Sequence, residues 1–276
     1  MDTNYVFIND RYVEAAQASL FITDLAIQRG YGIFDFCKTI GNKPVFLYDH
    51  LERFFHSASK MHLDPGYSAT ELEAILMRLI EKNNMGDSGI KITLTGGYSP
   101  DGYMIGKPNL LITQQPLDIK LSMDQKGISL VTYAHQRQLP EIKTLDYLMA
   151  IWLQPFIKEQ HADDVLYHHN DLVKECPRAN FFIITKENEI ITAKSNVLKG
   201  VIRKNILKLA HPDFTISERD FTMADLQNAK EAFITSTTKH IMPVVSIDGK
   251  HLSQGKPGLI TQQLASLLLN QVRKQA

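Results

Sequence analysis

Lys143 stands in the stretch Pro140-Glu141-Ile142-Lys143-Thr144-Leu145-Asp146-Tyr147-Leu148-Met149-Ala150, after a polar loop and before an apolar helical pattern. A lysine held at such a loop-to-helix junction can sit in a pocket, lose its charge and form a Schiff base with a carbonyl. By itself the position says little, since most lysines are solvated surface groups. Other reactive residue types exclude more than they suggest. His50 and His56 lie six apart on a helical pattern, which does not bring two imidazoles together as metal ligands, so both read as surface or core-edge histidines. Cys37 and Cys176 make neither a disulfide framework nor a metal pair, and no metal site is expected. Gly96-Gly97-Tyr98-Ser99-Pro100-Asp101-Gly102-Tyr103 lacks the GxGxxG spacing and a helix directly after it, so it is not a nucleotide fingerprint.

The chain as a whole sets the bounds. Its 276 residues suit two domains rather than one core. Thirty basic residues balance thirty acidic ones, which leaves no global field to attract nucleic acid or an anionic membrane. Met1-Asp2-Thr3-Asn4 lacks the basic and apolar regions of a signal peptide, and no apolar run is long enough to span a bilayer. These features predict a cytoplasmic protein.

The elements that must position Lys143 follow from periodicity. Tyr5–Ile8 and Tyr12-Val13 flank an Asn9-Asp10 turn, a strand–turn–strand signal. Gly30 and Gly32 punctuate an apolar segment and predict a sharp bend or a close backbone approach before a strand over 33–40. Leu51, Phe54, Phe55 and Ala58 share one face of a helix over 50–61. Ser68-Ala69-Thr70-Glu71 is a capping box that opens a second helix. Strands are predicted over 90–94 and 110–113. A polar, aperiodic stretch over 117–127 separates an N-terminal domain, 1–118, from a C-terminal domain, 119–276, that carries Lys143. In the second part, Pro155 is expected to kink or end the Lys143 helix. A hairpin is centred on His168–Asp171, strands follow over 181–185 and 190–193, and a helix opens at Leu198-Lys199-Gly200. Phe233-Ile234-Thr235-Ser236-Thr237-Thr238 ends a strand in four hydroxyl-bearing residues, and a last helix runs from Pro257. Strands and helices alternating in both parts indicate two α/β or α+β domains.

Five blocks, in order and across almost the whole chain, resemble the fold-type IV, class IV pyridoxal-phosphate enzymes: branched-chain aminotransferases, D-amino-acid aminotransferases and aminodeoxychorismate lyases. They are Gly32–Asp35 with Pro44–Arg53, the lysine block Ile142–Leu148, Val173-Lys174-Glu175 through Asn180-Phe181-Phe182, Leu198–Arg203, and Ser236-Thr237-Thr238 with Pro243-Val244. The resemblance implies a two-domain, D-amino-acid-aminotransferase-like fold with pyridoxal 5′-phosphate between the domains, and a homodimer in which a loop of one subunit closes the other's site. It implies that Lys143 binds the cofactor covalently and moves the substrate proton. Glu175 would face the pyridine nitrogen, Arg53 would bind the phosphate, and the amides of Val201 and Ile202 with Ser236 and Thr237 would complete the phosphate cradle. Tyr147 would reach the ring hydroxyl and Leu198 would pack on the ring. Taken alone, Glu175 reads as a solvated hairpin glutamate, Arg53 as a surface arginine, and Tyr147 and Leu198 as core.

Three departures bear on substrate. Asp146 replaces the usual asparagine, and Ile202 replaces a threonine, which leaves only its amide for the phosphate. Asp101 and Tyr103 stand where D-amino-acid aminotransferases carry an arginine and a histidine, so strict D-specificity of that type is not implied. Arg29 stands where branched-chain enzymes carry a tyrosine. Two readings stay open for it: a substrate-carboxylate ligand, with Phe34 as a pocket wall and the Thr238 amide assisting, or an ion-pair partner across a subunit contact. Arg178 and Lys239, at usually small positions, read as solvent-facing. The expected activity is transamination between an amino acid, branched-chain-like or small, and a 2-oxo acid. The alternatives are a lyase releasing pyruvate and a cofactor-binding family member without turnover.

Overall fold

The computed structural model describes residues 4–275; Met1–Thr3, part of the segment read above for a leader, lie outside them. The chain divides into two compact units. Among the described residues, the first comprises 4–119, 142–146 and 275; the second comprises 120–141 and 147–274.

The first unit contains β1 (Tyr5–Ile8), β2 (Arg11–Glu14), α1 (Leu25–Arg29), β3 (Gly32–Ile40), β4 (Lys43–Pro44), α2 (Leu47–Lys60), α3 (Ala69–Asn83), β5 (Ser88–Thr95) and β6 (Leu110–Pro116). Its antiparallel sheet runs β2-β1-β6-β5-β3-β4. Asn9, at φ 55°, turns the β1–β2 hairpin as the Asn-Asp pair predicts. Alternate residues of β3, β5 and β6, among them Ile33, Ile92 and Ile112, face α2 and α3 and form the core with Phe54, Leu72 and Leu76. The capping box is formed in full: Ser68 Oγ accepts from Glu71 N, and Glu71 accepts from Ser68 N. The helix expected over 50–61, α2, begins at Leu47, earlier than the sequence suggested, with Phe46 in the left-handed region at its N-terminus.

α1 was not legible as a helix, because five residues are too short to show a period. It forms because Asp24 Oδ1 accepts from Ala26 N and Gly30, at φ 67°, closes its C-terminus. Gly32 answers the expectation of a close approach: a Cβ there would meet Leu94 O at 2.7 Å and Leu145 Cδ1 at 2.8 Å.

The second unit contains β7 (Ile128–Ala134), α4 (Leu148–Trp152), α5 (Gln154–Glu159), β8 (Asp164–His169), β9 (Leu172–Val173), β10 (Glu175–Cys176), β11 (Ala179–Ile184), β12 (Glu189–Thr192), α6 (Val201–Leu207), β13 (Thr215–Glu218), α7 (Met223–Gln227), β14 (Glu231–Ser236), β15 (His240–Ile247), β16 (Lys250–His251) and α8 (Leu259–Gln275). The main sheet runs β13-β12-β11-β14-β15-β7-β8-β9, with β10 beside β11 and β16 beside β15. It is mixed, with parallel pairs β12–β13, β15–β7 and β7–β8. Pro155 breaks the helical run as predicted, so that α4 and α5 are separate and Pro155 lies in the first turn of α5. Glu231, 2 % exposed at the start of β14, accepts from the amides of Ile260 and Thr261 and so caps α8. No helix among the described residues is long and apolar enough to cross a membrane.

Candidate active site

The sequence suggested a helix carrying Lys143, and the structure corrects this. Residues 143–145 are extended, and the helix starts only at Leu148. β5 covers one edge of β3, whereas β4 covers only the far end of the other edge, at Thr39 and Ile40. The lysine segment takes the open end. Phe34 N donates to Lys143 O and Leu145 N donates to Gly32 O, both at 3.0 Å, with Ile33 opposite Thr144. Unpaired edge groups thus capture a segment whose apolar spacing alone looks helical. Although late in the chain, Lys143 therefore groups with the first unit. Its N–H lies 3.3 Å from Ser57 Oγ, and its half-buried side chain brings Nζ to 4.4 Å from the Phe34 ring centre, a cation–π contact.

The same strand holds Arg53. Asp35, fully buried in β3, accepts from Arg53 Nε and Nη2, both at 2.8 Å, in a two-pronged pair. His50 Nδ1 lies 2.7 Å from the same carboxylate. Burial alone would raise the Asp35 pKa, but the Arg53 guanidinium and the His50 ring outweigh it and hold the carboxyl well below the usual range. Burial pushes the His50 imidazole down against the pull of Asp35, with Arg53 and Lys143 adding to the depression. An ionised carboxylate only accepts, so Nδ1 carries the proton and Nε2 is an acceptor. Nε2 has no hydrogen-bond partner among the described residues. Arg53 keeps Nη1 clear of Asp35, which suits it to a phosphate oxygen.

Arg29 is exposed at the end of α1. Asp24 ties that helix down: Oδ2 accepts from Thr95 Oγ1 at 2.7 Å and from Asn109 Nδ2 at 2.8 Å. Leu25 N donates to Gly97 O and Ser99 N to Thr23 O, so the 96–106 loop is docked on α1. A Cβ on Gly102 would come within 3.7 Å of Arg29 Nη2. Asp101 Oδ1 accepts from Ser99 Oγ and from the amides of Tyr103 and Met104, so this carboxylate is occupied in shaping the loop. Tyr103 is exposed.

In the second unit Glu175 is buried, not solvated. Its carboxylate receives Arg137 Nη1 at 2.8 Å, Asn180 Nδ2 at 3.0 Å and the Leu198 amide at 3.2 and 3.1 Å from its two oxygens. Asn180 also donates to Leu198 O, and Gly200 packs so tightly on Asn180 Oδ1 that a Cβ would stand 2.1 Å from it. The helix predicted from Leu198 begins at Val201, with Gly200 as a cap that offers no side-chain acceptor to the first-turn amides of Val201 and Ile202. Ser236 ends β14 and Thr237 and Thr238 lie in the turn that follows, where Ser236 Oγ accepts from Lys239 N. The preceding Thr235 is 3 % exposed, lies opposite Asn180 in the register, and its Oγ1 has no partner among the described residues. Tyr147 is half-buried at the start of α4; Arg178 is exposed and Lys239 half-buried.

The first unit thus brings Lys143 to Phe34 and ties Arg53 to the Phe34 strand, while Arg29 stands with the 96–106 loop. The second joins Glu175, Leu198 and the Gly200 helix start through Asn180. Sequence reasoning passed over Asp35, His50, Arg137 and Asn180. A carboxylate inside an apolar strand was one available signal. The three-residue spacing of His50 and Arg53, which puts them on one helix face, was another.

Each unit offers groups of the kinds that pyridoxal 5′-phosphate would need: an amine and a guanidinium in the first, and first-turn amides, a buried carboxylate and a buried hydroxyl without a partner among the described residues in the second. The family description "Amino-transferase class IV" matches residues 32–247. A D-alanine aminotransferase of Staphylococcus haemolyticus is 30% identical over 267 residues, covering 94% of each chain. One from Listeria innocua is 30% identical over 280 residues, covering 97% of this chain and 96% of its own. Among solved structures, the Escherichia coli branched-chain amino acid aminotransferase superposes with a TM-score of 0.89 at 21% identity, covering 98% of this chain and 94% of its own. The branched-chain aminotransferase of the archaeon Thermoproteus uzoniensis gives 0.86 at 22%, covering 99% and 97%. The chain belongs to the class IV aminotransferases, enzymes that move amino groups on pyridoxal phosphate.

Proposed function

We propose that the chain transfers the amino group of a small amino acid to a 2-oxo acid, with Lys143 as the residue that holds the cofactor. The observation that carries this reading is the capture of Lys143 on the edge of β3, which fixes its backbone and leaves Nζ at the face of Phe34. When bound, pyridoxal phosphate supplies an aldehyde that condenses with amines and a ring that accepts electrons. Lys143 would hold it through its amine and, once released by the substrate amine, would take and return the proton at the substrate Cα. Arg53, braced by Asp35, would offer Nη1 to the phosphate. The amides of Val201 and Ile202 with the hydroxyls of Ser236 and Thr237 would serve the phosphate, Glu175 the ring nitrogen and Tyr147 the ring hydroxyl, and Leu198 would pack on the ring.

Substrate binding follows from what the loop no longer offers. With Asp101 occupied by the loop's own amides, Arg29 beside Gly102 supplies the cation for the substrate carboxylate, with Phe34 as wall and the Thr238 amide assisting. Relatives at 30% identity named D-alanine aminotransferase support alanine as a donor. Exposed apolar side chains around the loop, Phe21 at 69 %, Ile22 at 80 % and Met104 at 60 %, support a homodimer with this surface covered.

The test is a panel of D- and L-amino acids added to the cofactor-loaded protein, read by cofactor absorbance and by 2-oxo acid released. Conversion of donor to its 2-oxo acid, with the amino group returned to a second 2-oxo acid, is expected. Pyruvate released from aminodeoxychorismate without an acceptor would replace this reading with the lyase. Absorbance indifferent to every amino acid would replace it with binding without turnover. Unchanged half-reaction rates in Arg29→Ala would remove Arg29 from the carboxylate.

A further inference from the structure

The carboxylate assigned to the ring nitrogen is not a bare anion. Glu175 Oε1 receives Arg137 Nη1 at 2.8 Å and the Leu198 amide at 3.2 Å, and Oε2 receives Asn180 Nδ2 at 3.0 Å and the same amide at 3.1 Å. A carboxylate offers about four lone-pair positions, so these three donors leave a direction open to a further N–H. The guanidinium is itself held in place. His135 N donates to His168 O where β7 runs out, Gln136 Nε2 reaches Asn196 O at 3.2 Å, and Arg137 Nη1 also meets Pro140 O at 3.1 Å. Both side chains of the pair are withdrawn from water, Arg137 at 16 % and Glu175 at 6 % exposure, so solvent screens it weakly. Other charges packed nearby are Lys174, whose Nζ lies 3.4 Å from Ser195 O, and Asp164 and Lys239, which act on the neighbouring Cys176 thiol.

Two neutral donors, Asn180 and the Leu198 amide, already orient Glu175, so Arg137 adds a charge rather than a missing hydrogen bond. A carboxylate keeps a pyridine nitrogen protonated through its negative charge, and a guanidinium on the same carboxylate offsets that charge. What the ring nitrogen would meet is therefore an ion pair with no net charge. We infer that Arg137 is a positioning residue that acts through Glu175 to loosen the proton on the cofactor's ring nitrogen. The inference rests on the assignment of Glu175 to that nitrogen and adds a residue that the family blocks do not include. Its consequence is chemical. The protonated ring draws electrons from the substrate Cα, so a loosely held proton makes the ring a weaker acceptor whose strength depends on pH. Glu175 alone would grip the proton; the pair lets it go as pH rises through the ring's own titration.

The test follows the ring nitrogen itself, by nitrogen NMR of protein loaded with ring-labelled pyridoxal phosphate over a pH series. Wild type, Arg137→Met, Arg137→Lys and Glu175→Gln are compared. A charge within a few ångströms moves a titration by about one to three pH units, so Arg137→Met is expected to raise the ring-nitrogen midpoint by at least about one unit. Arg137→Lys keeps the charge and is expected to stay near wild type. Glu175→Gln is expected to lower the midpoint. This midpoint is a readout that a merely structural role of Arg137 would leave in place. An unchanged or lowered midpoint in Arg137→Met would overturn the inference, as would an equal shift in Arg137→Lys. Should the Met variant not fold, Arg137→Gln, which keeps a donor and loses the charge, takes its place with the same expectation. A midpoint indifferent to Glu175→Gln would remove Glu175 from the ring nitrogen, and the inference falls with that assignment. A midpoint that answers to Glu175→Gln but not to Arg137→Met refutes the inference alone.

Discussion

Replacing Asp35 by asparagine tests how the Arg53 guanidinium is held. Asp35 is fully buried, pairs twice with Arg53 at 2.8 Å and accepts from His50 at 2.7 Å. The amide keeps the shape but loses the charge, and at least one donor, on Arg53 or His50, is left unmet. Breaking a buried pair by neutralising one partner costs about 3–5 kcal/mol. At about 2–4 °C per kcal/mol for a chain of this size class, the melting temperature falls by roughly 6–20 °C. Urea unfolding of wild type, Asp35→Asn, Arg53→Met and the double variant gives the coupling directly. A coupling of about 2 kcal/mol or more is expected, because Arg53→Met removes the guanidinium that Asp35 exists to hold. The acid limb supplies a second readout. A carboxyl held below its unfolded value contributes stability that is complete above about pH 4 and is lost as pH falls through the folded value, so Asp35→Asn flattens that limb. Additive single losses, or an unaltered acid limb, would refute the bracing role.

Three further expectations follow from single sites. Burial lowers the Lys38 pKa to about 7, so between there and about 10.4 the unfolded chain binds more protons and stability rises with pH; Lys38→Met should remove that rise and stabilise the fold most near pH 6, by a few kcal/mol in urea titrations. Gly32→Ala should force the 143–145 segment off β3, cost about 1–3 kcal/mol and weaken cofactor binding in absorbance titrations, whereas Gly41→Ala, with open space at its Cβ, should leave binding unchanged. Burial pushes the Cys37 thiol up to about 12 and Cys176 well above the usual value, so a thiol reagent at pH 8 should label neither cysteine until the protein unfolds.

What could be read from the sequence was local. The Ser68 capping box, the 90–94 strand and the Pro155 break each depend on neighbours within a few residues, and each is present. The family blocks identified the chemistry because they preserve residue types in order. Long-range capture was not legible. Leu145, Leu148 and Met149 have helical spacing, yet residues 143–145 are extended because the open edge of β3, about a hundred residues earlier, supplies their partners. His50 was weighed against His56 on its own helix, while its partner was Asp35 on a strand. Glu175 alone looked like a surface hairpin residue; the three donors that bury it come from Arg137, Asn180 and Leu198.

The central claim is that Lys143 carries the cofactor, and borohydride trapping tests it most directly. The protein is loaded with pyridoxal phosphate, reduced, digested and mapped by mass spectrometry. The account predicts one phosphopyridoxyl-modified peptide, containing Lys143, with no modification of that site in Lys143→Ala. A cofactor trapped on another lysine, or none trapped from a protein that nevertheless transaminates, would contradict it.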